Sequence, residues 1–252
     1  MLTNEANVAN EANDLTMDYV SSLISRREIA ANTYEIRFTK PDGFSYRAGQ
    51  FVNFGIEKAP YSDPKGMRRS MSLCSAPSEE DLRIAWRGSP SAFKRSLLEI
   101  SIGNTFSIRG PFGHVGLPGE GSAIPLVFLS GGIGIATFRS LLRDNQSKGF
   151  PHGITLFDAN RTESEIAWKD ELPGWVGEKG RVIFTLTRED SPSWTGERGR
   201  IDESMIQRYV PDLGTPRFYI IGVTNMVKSL EALLLSMGVS PEKIVVEKFG
   251  DS

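Results

Sequence analysis

The stretch LSGGIGIATFRSLL, residues 129–142, joins an apolar run to a helical pattern through Gly131, Gly132 and Gly134. A strand that enters a glycine-rich turn and leaves directly as a helix lets backbone N–H groups and the helix N-terminus face a phosphate. No Gly-Lys-Ser/Thr follows, which rules out a Walker loop. A Rossmann fingerprint is only partly met: Thr137 stands where the third glycine would be, although Asp158 ends the next apolar run. Taken alone, the turn suits a phosphate and a tight structural corner equally well, so its surroundings have to decide.

Downstream, apolar runs alternate with helical periodicity: GITLFDAN then SEIAWKDEL, RVIFTLT then ESMIQRYV, RFYIIGV then MVKSLEALLLSMG, and finally KIVVEKF. That alternation predicts an α/β doubly wound parallel-sheet domain over 123–252, with ligands beyond the carboxyl ends of its strands. Upstream, past a hinge candidate at LPGEGSA (117–123), the grammar is different. YEIRFTK, FVNFGIE, LRIAWRG and TFSIRG alternate with period two between Gly and Pro turns, which predicts a small antiparallel β-barrel over 18–118. GPFG (110–113) ends its last strand in a tight turn. AFKRSLLEI (92–100) is the one helical piece, with Ser89 as N-cap and Pro90 as first helical residue. The free amides of Ser91, Ala92 and Phe93 then either open a second anion site or simply begin a capped helix that closes the barrel. Residues 1–17 repeat Asn-Glu-Ala-Asn, carry no Lys or Arg and have no apolar run. They read as a disordered tail and not as a signal peptide.

With 29 Lys and Arg against 31 Asp and Glu, no overall charge argues for nucleic acid or an anionic membrane, so any phosphate must be held locally. No window approaches the roughly 18 apolar residues of a membrane span, and stable membrane insertion is not expected. Cys74 is the sole cysteine, which excludes an internal disulfide and clustered-thiolate zinc or iron–sulfur ligation and fits a reducing, cytoplasmic compartment. His114 and His152 are isolated, and no metal site is expected. GMRRSMSLCSAP (66–77) places arginines ahead of hydroxyls that alternate with Met71 and Leu73, a strand whose polar side could line a flat anionic group.

The order RRSMS, GPFG, GGIGIATFRS, YIIGVTNM and EKF resembles the ferredoxin–NADP reductase superfamily of flavoproteins, from about residue 20 to the end. The family's Arg-x-Tyr-Ser flavin motif falls on Arg69, Ser70, Met71 and Ser72. The resemblance implies that Arg69 pairs with the phosphate of FAD, that Ser72 places a hydroxyl near flavin N5, and that Ser91, Ala92 and Phe93 give amides to the pyrophosphate. It implies that Gly131, Gly132, Gly134 and Ile135 form the nicotinamide-dinucleotide loop, with Gly222 beneath the nicotinamide. Thr187 and Arg188 resemble the pair that holds the 2′-phosphate of NADP, and Arg161 is a second partner. Asp158 keeps NAD open as the alternative. Glu247, from the Glu-x-Phe near the end, is a candidate for the nicotinamide pocket or only a structural acceptor, and Phe249 is the nearest aromatic cover.

This sequence departs from the pattern at Met71, where the stacking aromatic is usual, and at Ile221 and Val223, where the family has cysteine and proline. Thr137 replaces another proline. The function implied is an FAD-dependent oxidoreductase in which NADPH gives hydride to flavin N5 and single electrons then pass to a separate acceptor. That acceptor is a protein such as ferredoxin or flavodoxin, or a small flavin, quinone or ferric chelate. A flavin- or nucleotide-binding redox subunit without turnover is the reading of another class, motivated by Met71, Ile221 and Val223. Arg68, Lys94 and Arg95 form either a docking patch or a solvated charged face.

Overall fold

The computed structural model describes residues 18–119, 121–189 and 191–249, so the expected disordered tail lies outside the described residues. Period-two alternation produces β1 (Asp18–Ala30), β2 (Thr33–Thr39), β3 (Phe51–Ile56), β4 (Arg68–Ser72), β5 (Asp81–Arg87) and β6 (Thr105–Phe112), with α1 (Ala92–Glu99) between the last two. They form an antiparallel sheet in the order β4-β3-β6-β1-β2-β5. The sheet curls until Leu73, just past β4, bridges Ile84 in β5, so its edges meet at one corner and not along a full ladder. Inward positions of each strand supply the core: Ile36, Phe38, Val52, Phe54, Phe106 and Ile108 are all fully buried. Phe54 and Phe106 lie 4.4 Å apart at its centre.

The second half reads β7 (Leu126–Gly131), α2 (Ile135–Ser147), β8 (Ile154–Asn160), α3 (Leu172–Val176), β9 (Arg181–Leu186), β10 (Glu197–Arg198), α4 (Glu203–Tyr209), β11 (Arg217–Val223), α5 (Thr224–Ser236) and β12 (Ile244–Phe249). All its pairings are parallel, in the order β10-β9-β8-β7-β11-β12. β7 and β11 are continuous apolar runs because helices cover both their faces. Phe128 of β7, for example, stacks on Phe138 of α2 at 4.5 Å. The chain runs outward from β7 to β10 and then returns to β11 on the other side of β7. The strand order therefore reverses between β7 and β11, which opens a crevice at their carboxyl ends.

The helix expected over SEIAWKDEL does not form as such; α3 begins only at Leu172. Trp168 sits at φ 53°, a left-handed backbone that a helix cannot continue through, and its ring is buried. Among the described residues no helix is long and apolar enough to cross a membrane.

Candidate functional site

The crevice opens into a cleft of about 1500 Å³ walled by both sheets. From the antiparallel side come Arg69, Ser70, Met71 and Ser72 of β4, together with Ser91 and Phe93 at the start of α1. From the parallel side come Gly131, Gly132, Arg161, Thr187, Glu247 and Phe249. Ala92, Gly134, Ile135, Arg188 and Gly222 do not line it.

The N-cap of α1 is Ser91 and not the expected Ser89. The Lys94 amide donates to the Ser91 hydroxyl at 3.3 Å, while the Ser91 amide donates to the Ser89 hydroxyl at 3.4 Å. A hydroxyl that reaches the amide three residues on wins the cap, which leaves the Ala92 amide at the open start of the helix while the Phe93 amide turns to Asp63. Beside them the Arg69 guanidinium lies over the Phe93 ring and donates to Asp63 at 2.7 Å. The Lys65 amide donates to the other Asp63 oxygen at 2.9 Å. The Lys65 amide, then Arg69 and the Phe93 amide, hold the Asp63 carboxyl below its usual range. This donor set therefore already holds an anion, and a phosphate diester fits the same chemistry. Burial, then the charge of Arg69, depresses Lys94, the cation next to them on the cleft wall.

Cross-strand register settles the flat part of the wall. Phe51 is paired with Ser72, so both side chains share a face, and Phe51 lies 5.7 Å from Phe112. Met71 is paired with the buried Val52 and packs on the barrel core. An aromatic ring is thus present beside Ser72, on the neighbouring strand, although the motif itself lacks one.

On the other wall Gly132 adopts φ 55° with open space where a Cβ would point, while a Cβ on Gly134 would lie 2.2 Å from the carbonyl oxygen of Ile221. Gly132 shapes the surface, and Gly134 lets α2 start against β11. The Arg188 amide donates to the Arg161 carbonyl at 2.9 Å, but the second guanidinium on the cleft wall belongs to Arg200, which the sequence reading missed. Asp158 is fully buried, bonded by Asn160 Nδ2 at 2.8 Å and pushed up to about 6 by burial, so it presents no acid to a ribose in the cleft.

Burial pushes Glu247 up to about 7, partly offset by the Thr137 hydroxyl. Its Oε2 has no hydrogen-bond partner of ordinary geometry among the described residues. An acid raised by folding keeps its proton in the native state while the unfolded chain loses it, so stability falls as pH rises from about 4.5 towards about 7. Glu247→Gln should flatten that part of a denaturation-versus-pH profile and exceed the natural chain at pH 8, checked by urea melts at both ends of the range.

The family model for the oxidoreductase NAD-binding domain matches residues 128–232. Ferredoxin–NADP reductase B of Sorangium cellulosum is 27% identical over 248 residues, covering 92% of this chain and 97% of that protein. A ferredoxin NADP+ reductase from Neisseria gonorrhoeae, solved with bound FAD and NADP, superposes with a TM-score of 0.76 at 21% identity over 92% of this chain and 98% of that one. The chain is similar to ferredoxin–NADP reductases along nearly its whole length. The named relatives are NAD(P)H-dependent flavoprotein reductases, and the antiparallel and parallel sheets match the two-domain fold of that solved reductase. The reductase component of propane 2-monooxygenase from Rhodococcus jostii is 28% identical over 83% of this chain, which spans 57% of that protein's length. An Amycolatopsis cytochrome P450 reductase shares the fold with a TM-score of 0.81 at 21% identity, over 92% of this chain and 70% of that one.

Proposed function

We propose that this chain is an FAD-dependent NAD(P)H oxidoreductase that delivers electrons to a separate acceptor protein. The single observation that carries the reading is one cleft with an occupied anion site on its antiparallel wall and a glycine-shaped loop on its parallel wall. Arg69 and the amides of Ala92 and Phe93 would hold the FAD phosphates, Phe51 would flank the ring system, and Met71 would support that wall from the barrel core. Gly131 and Gly132 would admit the dinucleotide. When bound, NADPH supplies a hydride and the flavin accepts it and releases single electrons. Ser72 offers its hydroxyl on the face it shares with Phe51, where it would orient the reacting edge. Glu247, protonated for much of the population near neutrality, would donate a hydrogen bond into the nicotinamide pocket. Val223 and Phe249, which line the cleft, would reduce water access there once the dinucleotide is bound.

The relatives' names point to a ferredoxin or to an oxygenase component as acceptor, and we favour a ferredoxin because the ferredoxin–NADP reductase matches along 97% of its length. Purified protein decides the core of the proposal. It should be yellow, or take up FAD, and be bleached anaerobically by NADPH; a colourless protein that takes up no FAD would remove it, and a yellow one that neither NADPH nor NADH bleaches would establish the binding subunit instead. We assign the 2′-phosphate to Arg161 and Arg200, with Thr187 beside them. Arg200→Ala should weaken NADPH by about tenfold and NADH little, in line with one lost charge-assisted bond. Arg188→Ala should act less, and steady-state KM values for both dinucleotides check the order.

A further inference from the structure

Arg139 lies on α2, the helix that continues the glycine-rich loop, yet it is only 3% exposed. A buried guanidinium must find partners for its charge and its donors, and every hydrogen bond recorded for this one crosses to the other half of the molecule. Its Nη1 donates to the carbonyl of Cys74 at 2.5 Å and to Glu79 at 2.9 Å, and its Nη2 donates to the second Glu79 oxygen at 3.0 Å. Nε lies 3.9 Å from Glu35, a carboxylate with no exposure at all. Next along α2, the Ser140 hydroxyl donates to the Ser75 carbonyl at 2.6 Å and accepts from the Gly49 amide at 3.3 Å.

The positions of these partners matter. Cys74 and Ser75 lie two and three residues past the end of β4, which carries Arg69 and Ser72 into the cleft. Glu79 in turn accepts from the Ala76 amide at 2.7 Å, so the carboxylate that grips Arg139 also closes the turn after that strand. On its own side the guanidinium is held against Trp175 at 5.1 Å and Trp168 at 5.7 Å. The partners hold Arg139 charged and Glu79 ionised against the cost of burial, Glu79 by its bond to Arg139 foremost. One planar, rigid group thus joins the helix behind the dinucleotide loop to the chain behind the flavin strand.

We propose that Arg139 is the positioning residue that fixes the distance between the dinucleotide loop and β4. It touches no reactant itself. It sets how closely the two walls of the cleft approach, and hydride transfer is steep in such distances, since a 1 Å misplacement costs on the order of 10² in rate. The proposal rests on the reading of the cleft given above, and its test has one arm that does not.

In the first arm, the flavin-free full chain is melted by calorimetry. The natural chain should give one cooperative transition, and Arg139→Met, which keeps the stem and removes the donors, should give two. In the second arm, FAD-loaded Arg139→Lys, which keeps charge but not the fork, is mixed anaerobically with saturating NADPH. Flavin reduction should slow by about 10- to 100-fold, with FAD content and NADP+ affinity within about twofold of the natural protein and the long-wavelength charge-transfer band diminished. Arg143→Ala, which also neighbours Glu79 but bonds neither Cys74 nor Ser75, should leave reduction unchanged. A single transition in Arg139→Met together with normal reduction in Arg139→Lys overturns the proposal. So does a loss of FAD that accounts for the slower reduction, because it would make Arg139 a merely structural residue. If Arg139→Met does not fold, Ser140→Ala takes its place in the first arm with the same two readings. A natural chain that takes up no FAD would count against the cleft reading alone, and the calorimetry would still decide the coupling.

Discussion

Arg69→Ala should raise the dissociation constant for FAD on the order of 100-fold, so that the variant purifies largely colourless. Hydrogen bonds to a charged partner contribute about 1.5–3 kcal/mol, and about 1.4 kcal/mol is a factor of ten in affinity. The neighbourhood pushes the effect towards the upper figure. Arg69 neutralises Asp63 at 2.7 Å, and without it a carboxylate would stand alone beside the amides of α1, repelling the phosphate it now resembles. Asp63→Asn in the Arg69→Ala background should therefore recover part of the affinity. Arg68 is the control: it bonds Ser107 at 3.0 Å and approaches Asp18 at 3.7 Å, away from the start of α1, and its alanine variant should bind FAD almost normally. Titration of flavin-free protein with FAD, followed by fluorescence quenching, measures the three variants against the natural chain. Full flavin content in Arg69→Ala would show that the phosphate lies elsewhere.

Much of this site was legible because its chemistry is local in sequence. Arg69 and Ser72 sit in one strand, and Gly131, Gly132 and Gly134 in one turn, so spacing alone brings them together. What was hidden depends on pairing between segments. Phe51 reaches the cleft beside Ser72 only through the β3–β4 register, and Arg200 comes to the same cleft as Thr187 only because Arg198 of β10 pairs with Leu186 at the end of β9. Asp63 arrives from a loop whose course no periodicity encodes. Ser89 and Ser91 are both competent caps, and the reach of one hydroxyl chooses between them. Arg139 was the least legible: a charged residue in an amphipathic helix reads as a solvent-facing position, and only the second sheet closing over α2 makes it buried.

Neighbouring glycines in the loop should fail in different ways when given a methyl group. In Gly134→Ala the new Cβ would lie 2.2 Å from the Ile221 oxygen, 2.9 Å from its carbonyl carbon and 3.1 Å from Gly222 Cα. All three are backbone atoms of β11, a central strand of the sheet, and no rotamer change relieves them. Overpacking of this kind costs about 1–3 kcal/mol, and backbone on both sides puts it near the top of that range. A melting temperature lower by roughly 6–12 °C is expected, since 1 kcal/mol shifts a domain of this size by about 2–4 °C. Dinucleotide binding should fall with it, because α2 must move away from β11 and take the loop along. Gly132→Ala meets no atom within 4 Å, so its only structural cost is the left-handed φ of 55°, about 1–2 kcal/mol. Its methyl group would instead project into the open cleft, where the loop's backbone must be approached closely. Gly132→Ala should therefore melt only about 2–8 °C below the natural chain, less than Gly134→Ala, while losing most of its NADP+ affinity, and FAD content should hold in both variants. Calorimetry and NADP+ titration on the same samples separate the cases. An equal loss of stability at both positions would mean that the loop packs more tightly than its geometry implies, and undiminished NADP+ affinity in Gly132→Ala would remove the loop from the binding surface.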